Sequence, residues 1–387
     1  MSRKRTVMAT AAALATALVL AACGTSGSSG GGTTLKIGFM GDLTGENAGI
    51  VVPPRNGAKL AIDQYNATNP GTKLELVEYD SQGSATQATP LATKAIQQDK
   101  ITGLIGPAFS GESKAVGPIL EQGKIPSVSP SATNPGLAQN GWKYWHRVVA
   151  NDDDQGPAIT NFLITAKSPK SAFVISDDQA YSVGIADASF KTFQAKGITV
   201  GRDQFAQKAP EYSSTVAKVK AANPDVIFYG GYYAQAGKLL KQLRDGGVTA
   251  TFATGDGSLD PGLVSGAGQA AAEGAVVGCP CAIPSADTTS DALKKFFGDY
   301  KSAFNTDPAI YAVEGYDSAT AFINAVKAGN TTSDAINNYL ATINFVGLSK
   351  PIKFKPNGEI EANQIFVYVV KAGKITLLGP STEAKLS

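Results

Sequence analysis

The chain has 387 residues, 43% of them apolar and 17% charged, with 42 glycines and 20 prolines. That length fits two domains or one large α/β unit, and that apolar share excludes wholesale disorder. Its 34 basic residues stand against 32 acidic ones; without residues 1–22, which carry Arg3, Lys4 and Arg5 and no acid, the balance is a single negative charge, so nucleic acid is not expected as a partner.

The start of the chain is basic (Arg3-Lys4-Arg5), then apolar from Val7 to Leu20, then rich in small residues. The apolar run is about 14 residues, short of the ~20 that cross a bilayer as a helix, and the three parts together are those of a secretory signal. Leu20-Ala21-Ala22-Cys23 resembles the bacterial lipobox. That likeness implies a lipoprotein signal peptide over 1–22 and a lipid anchor on Cys23; a plain signal with an incidental cysteine is the alternative. The glycine- and serine-rich stretch that completes the linker 23–34 has a mean reach of roughly 18 Å as a flexible tether. The expected location is therefore extracytoplasmic, attached to the cell membrane, where disulfides are permitted and a membrane-embedded partner is within reach.

From there the pattern alternates. Strands are predicted at 35–40, 73–79, 101–105 and 125–128, with helices at 54–67, about 85–99 and 112–122 between them. Pro90 should bend the second helix or mark its true start. After Asp152-Asp153-Asp154-Gln155-Gly156 the rhythm restarts: helices at 157–166, 183–196, 212–222 and 233–245 alternate with strands at 172–176, 199–205, 225–229 and 251–253. Two successive sets of this kind imply two α/β lobes, each a doubly wound parallel sheet.

Ligands of open α/β sheets sit beyond the carboxyl ends of the strands, so the loops there carry the argument. The first half offers Ala108-Phe109-Ser110 and Ser131-Ala132-Thr133; the second offers Tyr181, Tyr232 and Asp256 between two glycines. Ser110 lies where a helix N-cap is expected, and free N–H groups at a helix start attract anions. Ser131 and Thr133 add hydroxyl donors, although simple capping and turn bonds would also explain all three. Gly-Asp-Gly is likewise a common turn, but a buried carboxylate needs a partner, which a ligand ammonium supplies. The loops together suit a zwitterion held between two halves.

An enzyme is not expected. The single histidine, His146, lies on a strand away from these loops, no Gly-x-Ser-x-Gly turn is present, and the glycine-rich stretch 266–274 lacks a phosphate-loop lysine. Neither a cofactor nor a metal is expected. Cys279-Pro280-Cys281 has spacing that permits a local disulfide.

These loops, in this order behind a lipobox, resemble the leucine/isoleucine/valine-binding proteins of ABC transporters, with the type I periplasmic-binding fold. The likeness runs through Gly41-Asp42-Leu43-Thr44-Gly45, Leu104-Ile105-Gly106, the stretch from Ile125 to Thr133, Asp154-Gln155-Gly156 and Tyr229-Gly230-Gly231-Tyr232. It implies a three-segment hinge near 150, 279 and 366, with 35–150 plus 280–366 forming one lobe and 151–279 plus 367–387 the other. It also implies that Ser110, Ser131 and Thr133 hold a ligand α-carboxylate beside Ala108 and Phe109. Asp256 and the Tyr232 region would meet the α-ammonium, with Tyr181 at the cleft and Tyr311 near the side-chain pocket. Asp256 stands where leucine-type binders carry Glu, and Ile50 where an aromatic could line the pocket. The implied role is that of a monomeric receptor for an aliphatic amino acid that feeds an ABC permease. A receptor for a related amide, urea or aromatic acid, or a sensor working with a separate membrane signalling protein, is the alternative.

Overall fold

In the computed structural model, which describes residues 33–386, the alternation resolves into two sheets. The signal-peptide reading, Cys23 and most of the tether lie outside the described residues. The first sheet comprises β1 (Thr33–Gly41), β2 (Thr72–Asp80), β3 (Gly103–Ile105), β4 (Ser127–Ser129) and β5 (Trp145–Arg147). Their order is β2-β1-β3-β4-β5, and every pairing is parallel. The second lobe is built on β6 (Ser171–Asp177), β7 (Thr199–Phe205), β8 (Val226–Gly230), β9 (Thr251–Thr254) and β10 (Val276–Cys279). β11 (Asn344–Val346) and β12 (Pro351–Lys353) make a separate small hairpin. β13 (Phe366–Lys371) and β14 (Lys374–Pro380) then extend the second sheet to the order β14-β13-β10-β9-β8-β6-β7.

This second sheet is not wholly parallel: β13 runs antiparallel to β10, and β14 antiparallel to β13. The two strands are joined through Ala372 and Gly373, both at positive φ (53° and 75°), as a two-residue hairpin turn requires. The central strands are apolar on both faces, with Val174, Ile175, Ile227 and Phe228 fully buried, as strands covered by helices on either side must be.

Several helices begin where local chemistry, rather than apolar spacing, sets the start. The helix Val52–Ala67 places Pro53 and Pro54 in its first turn, where a missing N–H costs nothing. Pro90 does not start its helix: Ser84 caps Ala85–Lys94 by accepting from the Gln87 N–H at 3.4 Å, and the chain then widens into a π turn over Ala95–Asp99. The helix Asp152–Lys167 starts five residues before the expected one. Asn151 accepts from the Asp153 N–H at 2.9 Å, and three acids follow in the first turn, where the helix dipole favours negative charge.

The stretch after β10, which the sequence pattern left without assigned elements, supplies the helices Asp291–Phe304, Ala312–Lys327 and Ser333–Leu340. Ala312–Lys327 lies against Val52–Ala67 at van der Waals contact of backbones: a Cβ on Gly57 would fall 1.9 Å from the Ala312 carbonyl oxygen, and one on Gly315 2.0 Å from that of Pro54. Phe322 of the same helix covers Gly103 in β3. A late segment thus packs on the first sheet and delivers Tyr311, which precedes this helix, to the joint between the lobes.

That joint is tied by Lys350, whose ammonium donates to the Val148 and Pro280 carbonyls at 3.2 and 3.1 Å and to Glu314 at 3.1 Å. Cys279 and Cys281 are joined by a disulfide with a Cα separation of 5.0 Å. The Tyr368 hydroxyl donates to the Cys281 carbonyl at 3.1 Å and accepts from the Ile283 N–H at 2.9 Å.

Candidate functional site

On the first lobe, β3 ends in a loop that returns across β1. The Ala108 N–H donates to Met40 O at 3.0 Å, and Ala108 O accepts from the Ser131 hydroxyl at 2.8 Å, which ties the loops after β3 and β4 together. Phe109, in extended backbone, holds the N-cap position of the helix Ser110–Gly123. Ser110 is therefore the first helical residue and not the cap. The reason lies in Glu112, whose carboxylate takes the free Phe109 N–H at 3.1 Å and also bonds the Ser81 hydroxyl. Relieved of capping, the Ser110 hydroxyl accepts from the Asn134 N–H at 3.2 Å.

Thr133 is fixed from behind by Arg147 of β5. This fully buried guanidinium donates from Nη1 to the carbonyls of Ala132 (2.8 Å) and Asn134 (2.9 Å), on either side of Thr133, and from Nε to Glu359 at 2.8 Å, with Nη2 on the same carboxylate. The Thr133 hydroxyl, itself buried, has no hydrogen-bond partner.

On the second lobe, Asp256 follows β9. Its Oδ1 accepts from Gln155 Nε2 (2.7 Å) and the Tyr181 hydroxyl (2.8 Å), its Oδ2 from the Tyr311 hydroxyl (2.6 Å), and its N–H donates to Gln155 Oε1 (3.0 Å). The flanking glycines serve close approach. A Cβ on Gly255 would sit 2.6 Å from the Tyr181 hydroxyl, and one on Gly257 2.6 Å from the Tyr181 ring. Tyr311 adopts φ +61°, a strained setting for a bulky residue, from which its hydroxyl donates to Asp256. Burial pushes the Asp256 carboxyl upward against the lowering effect of these three donors. Burial also raises the phenols of Tyr181, Tyr232 and Tyr311, so all three stay protonated and able to donate.

Two residues of this site, Gln155 and Asp152, were not among the ligand contacts expected from the sequence. Gln155 bridges two acids: its Nε2 also donates to Asp152 Oδ1 at 3.1 Å. Asp152 is completely buried, its N–H donates to Thr133 O at 3.0 Å, and its Oδ2 is unpartnered. The Thr133 hydroxyl is near enough to lower the Asp152 carboxyl but lacks hydrogen-bonding geometry. The signal was present in Asn151 followed by acids, a helix start that turns Asp152 and Gln155 inward.

The contacts run in a closed circuit. Phe109 adjoins Ser110, Ser110 bonds Asn134, Thr133 meets Asp152, Gln155 links Asp152 to Asp256, and Tyr181 joins Asp256 to Tyr232. The Tyr181–Tyr232 ring centroids are 5.1 Å apart, and Tyr232 closes on Phe109 at 4.6 Å. All the sequence-predicted cleft residues lie on this circuit or are bonded to it: Ala108 and Ser131 through each other, Tyr311 through Asp256. A cavity of about 470 Å³, lined by Ser110, Lys114, Asn134, Asp178 and Val183 among others, opens beside it between the lobes. His146 is elsewhere in function: buried, with Nδ1 3.3 Å from Ser127 O, it is held down to about 4 by burial and is a neutral core residue.

The family model for periplasmic binding proteins matches residues 34–374. A leucine-, isoleucine-, valine-, threonine- and alanine-binding protein of Pseudomonas aeruginosa is 28% identical over 340 residues, covering 87% of this chain and 89% of its own. Among solved structures, a leucine-binding protein of Thermotoga maritima is 29% identical with a TM-score of 0.82, covering 89% of this chain and 98% of that one. A branched-chain amino acid transporter substrate-binding protein of Streptococcus pneumoniae, solved with isoleucine, is 26% identical with a TM-score of 0.80, covering 90% of this chain and all of that one.

Proposed function

The chain belongs to the periplasmic binding protein family, and from that premise we propose that it captures an aliphatic amino acid between its lobes and delivers it to an ABC importer, held at the membrane by a lipid on Cys23. One observation carries the amino-acid reading. Asp256 is an acid buried at the joint between the lobes, and every side chain that bonds it, Gln155, Tyr181 and Tyr311, is neutral. A buried carboxylate without a cation is costly, and a ligand ammonium removes that cost.

Across the circuit, Ser110, Ser131 and Thr133 offer hydroxyls and backbone N–H groups without fixed positive charge, a setting for the ligand carboxylate. Capture follows as lobe closure. A zwitterion that touches both walls prefers the closed form and shifts the population toward it, and each charge interacts more strongly once water leaves. The lobe division at about 150, 280 and 366 lets the helix after Tyr311 belong to the first lobe while Asp256 belongs to the second, so the Tyr311–Asp256 bond is made on closing. The relatives named above, which bind leucine, isoleucine and valine, support an aliphatic side chain.

A thermal-shift screen of all amino acids, with urea, short amides and benzoate alongside, tests this. A ligand at 1,000 times its Kd adds about 4 kcal/mol of stability, and leucine, isoleucine or valine should give the largest shift. Asp256→Asn should then weaken that ligand by about 2–4 kcal/mol, roughly 30- to 1,000-fold in Kd. Stabilisation by urea or benzoate alone, indifferent to Asp256→Asn, would remove the amino acid from the assignment.

A further inference from the structure

The chain passes between the lobes at three places, and one cation touches two of them. The first crossing leaves β5 at Val148 and enters the helix Asp152–Lys167, the second leaves β10 through Cys279-Pro280-Cys281, and the third enters β13 at Phe366. Lys350 donates to Val148 O at 3.2 Å and to Pro280 O at 3.1 Å, with Glu314 at 3.1 Å as its ion-pair partner. An ammonium has three N–H donors, and here each has its own acceptor. Neutralising Glu314 would occupy one of them; the other two span the joint.

The backbone under Lys350 is fixed as firmly as its head group. Lys350 ends the turn between β11 and β12, and Asp317 of the helix Ala312–Lys327 holds that turn. The buried Asp317 carboxylate accepts from the Leu348 N–H (2.8 Å), the Ser349 N–H (2.8 Å) and the Ser349 hydroxyl (2.6 Å). A Cβ on Gly347 would fall 2.6 Å from Asp317 Oδ2, so the turn lies against the helix with no space for a side chain. Glu314 stands one turn earlier on the same helix, and only 2% of its side chain is exposed, against 15% for Lys350. An ion pair this sheltered is screened little by salt.

The second crossing is gripped from both sides. The Pro280 carbonyl is taken by Lys350, a first-lobe residue. The next carbonyl, Cys281 O, accepts at 3.1 Å from the hydroxyl of Tyr368, which lies on β13 of the second sheet. The Cys279–Cys281 disulfide closes a small ring around Pro280, with both cysteines buried, and proline fixes its own φ. The two carbonyls are therefore held in one relative orientation, one for each lobe.

Taking the lobe division and closure described above as its ground, we propose that Lys350 is a positioning residue for capture. Its ammonium sets the separation of the first and second crossings, and the Cys279–Cys281 ring keeps the Pro280 carbonyl aimed at it. The hinge is thereby preset near the arrangement in which Tyr311 reaches Asp256. Affinity for a captured solute falls with the fraction of empty protein held in that arrangement, so Lys350 acts on binding through the hinge.

Lys350→Met combined with Glu314→Gln removes the tie and strands no buried acid. Without ligand, solution scattering should give this protein a larger radius of gyration than wild type. Calorimetry with L-leucine should give a Kd about tenfold weaker, and at saturating L-leucine the two radii should coincide. Lys353→Met with Glu361→Gln removes an exposed pair at 2.8 Å in the neighbouring hairpin and should change neither quantity. Cys279→Ala with Cys281→Ala should weaken Kd in the wild-type background and add little once Lys350 is gone; if that protein does not fold, the Lys350 variant and its control decide alone. An unchanged ligand-free radius and Kd in the Lys350 variant would overturn the proposal even if its melting temperature drops, because the lysine would then be a brace only. Effects of the cysteine and lysine changes that simply multiply would remove the ring from the device. If the wild type does not bind L-leucine, the amino-acid reading falls, and the ligand-free radius alone decides the hinge.

Discussion

Glu112 illustrates how a residue that never meets ligand can still govern the site. It holds Phe109 by its N–H and anchors Ser81, and both contacts lie in the interior. Burial pushes its carboxyl up to about 7, against the opposing bonds from Ser81 and Phe109. The folded state therefore binds a proton that the unfolded chain releases near 4.5. Stability from this residue is complete below that value, declines as pH rises toward 7, and is level above. The difference is worth about 3 kcal/mol. Glu112→Gln can keep both contacts while removing the titration, so its stability relative to wild type should grow by about that amount between pH 4.5 and 7.5 in denaturant melts. Parallel curves would show that Glu112 stays ionised. At this scale the sequence was informative about loop residues, since Asp256, Tyr181 and Tyr232 sit at strand ends as the alternation requires. It gave Asp152 and Gln155 no place in the site: Gln155 entered only through the family likeness and Asp152 only as the point where the rhythm restarts, because the helix was expected to begin at Pro157.

Elements meet where side chains are smallest. The helices Val52–Ala67 and Ala312–Lys327 touch through Gly57 and Gly315, with no room for a methyl group at either. Gly57→Ala must push the second helix outward, at a cost of roughly 1–3 kcal/mol. Tyr311 precedes that helix and bonds Asp256 at 2.6 Å, so the same substitution should raise Kd for the captured ligand several-fold. Gly71→Ala, at a position with nothing within 4 Å, should leave both quantities unchanged. Thermal melts and calorimetry on the pair of variants check this. Strands and helices up to β9 were legible within a few residues because each is short, apolar and punctuated by Gly, Asn or Pro. The helices beyond 290 were not assigned, and the antiparallel β13–β14 edge depends on a turn at Ala372 whose positive φ no residue preference announces.

Considered as a whole, the molecule is held shut by few direct bonds between lobes. Gln235 donates to Glu46 at 2.7 Å, the Gly49 N–H to the Tyr233 hydroxyl at 3.3 Å, and Asn134 to Ala180 O at 2.6 Å. Removing one of them shifts the balance toward the open form. Gln235→Ala should cost about 1 kcal/mol of closure, seen as a roughly fivefold weaker Kd and, without ligand, a larger radius of gyration in solution scattering. An unchanged Kd would mean that closure draws on the ligand alone. The two-lobe plan itself was readable from the restart of the βα rhythm near 152, whereas the return of residues beyond 280 to the first sheet came only with the resemblance. Arg147 adds a last consequence. Its planar fork reaches the Glu359 carboxylate and the carbonyls on both sides of Thr133 at once, a span that a lysine ammonium does not reproduce, so Arg147→Lys would leave the backbone cradle around Thr133 unbraced from behind.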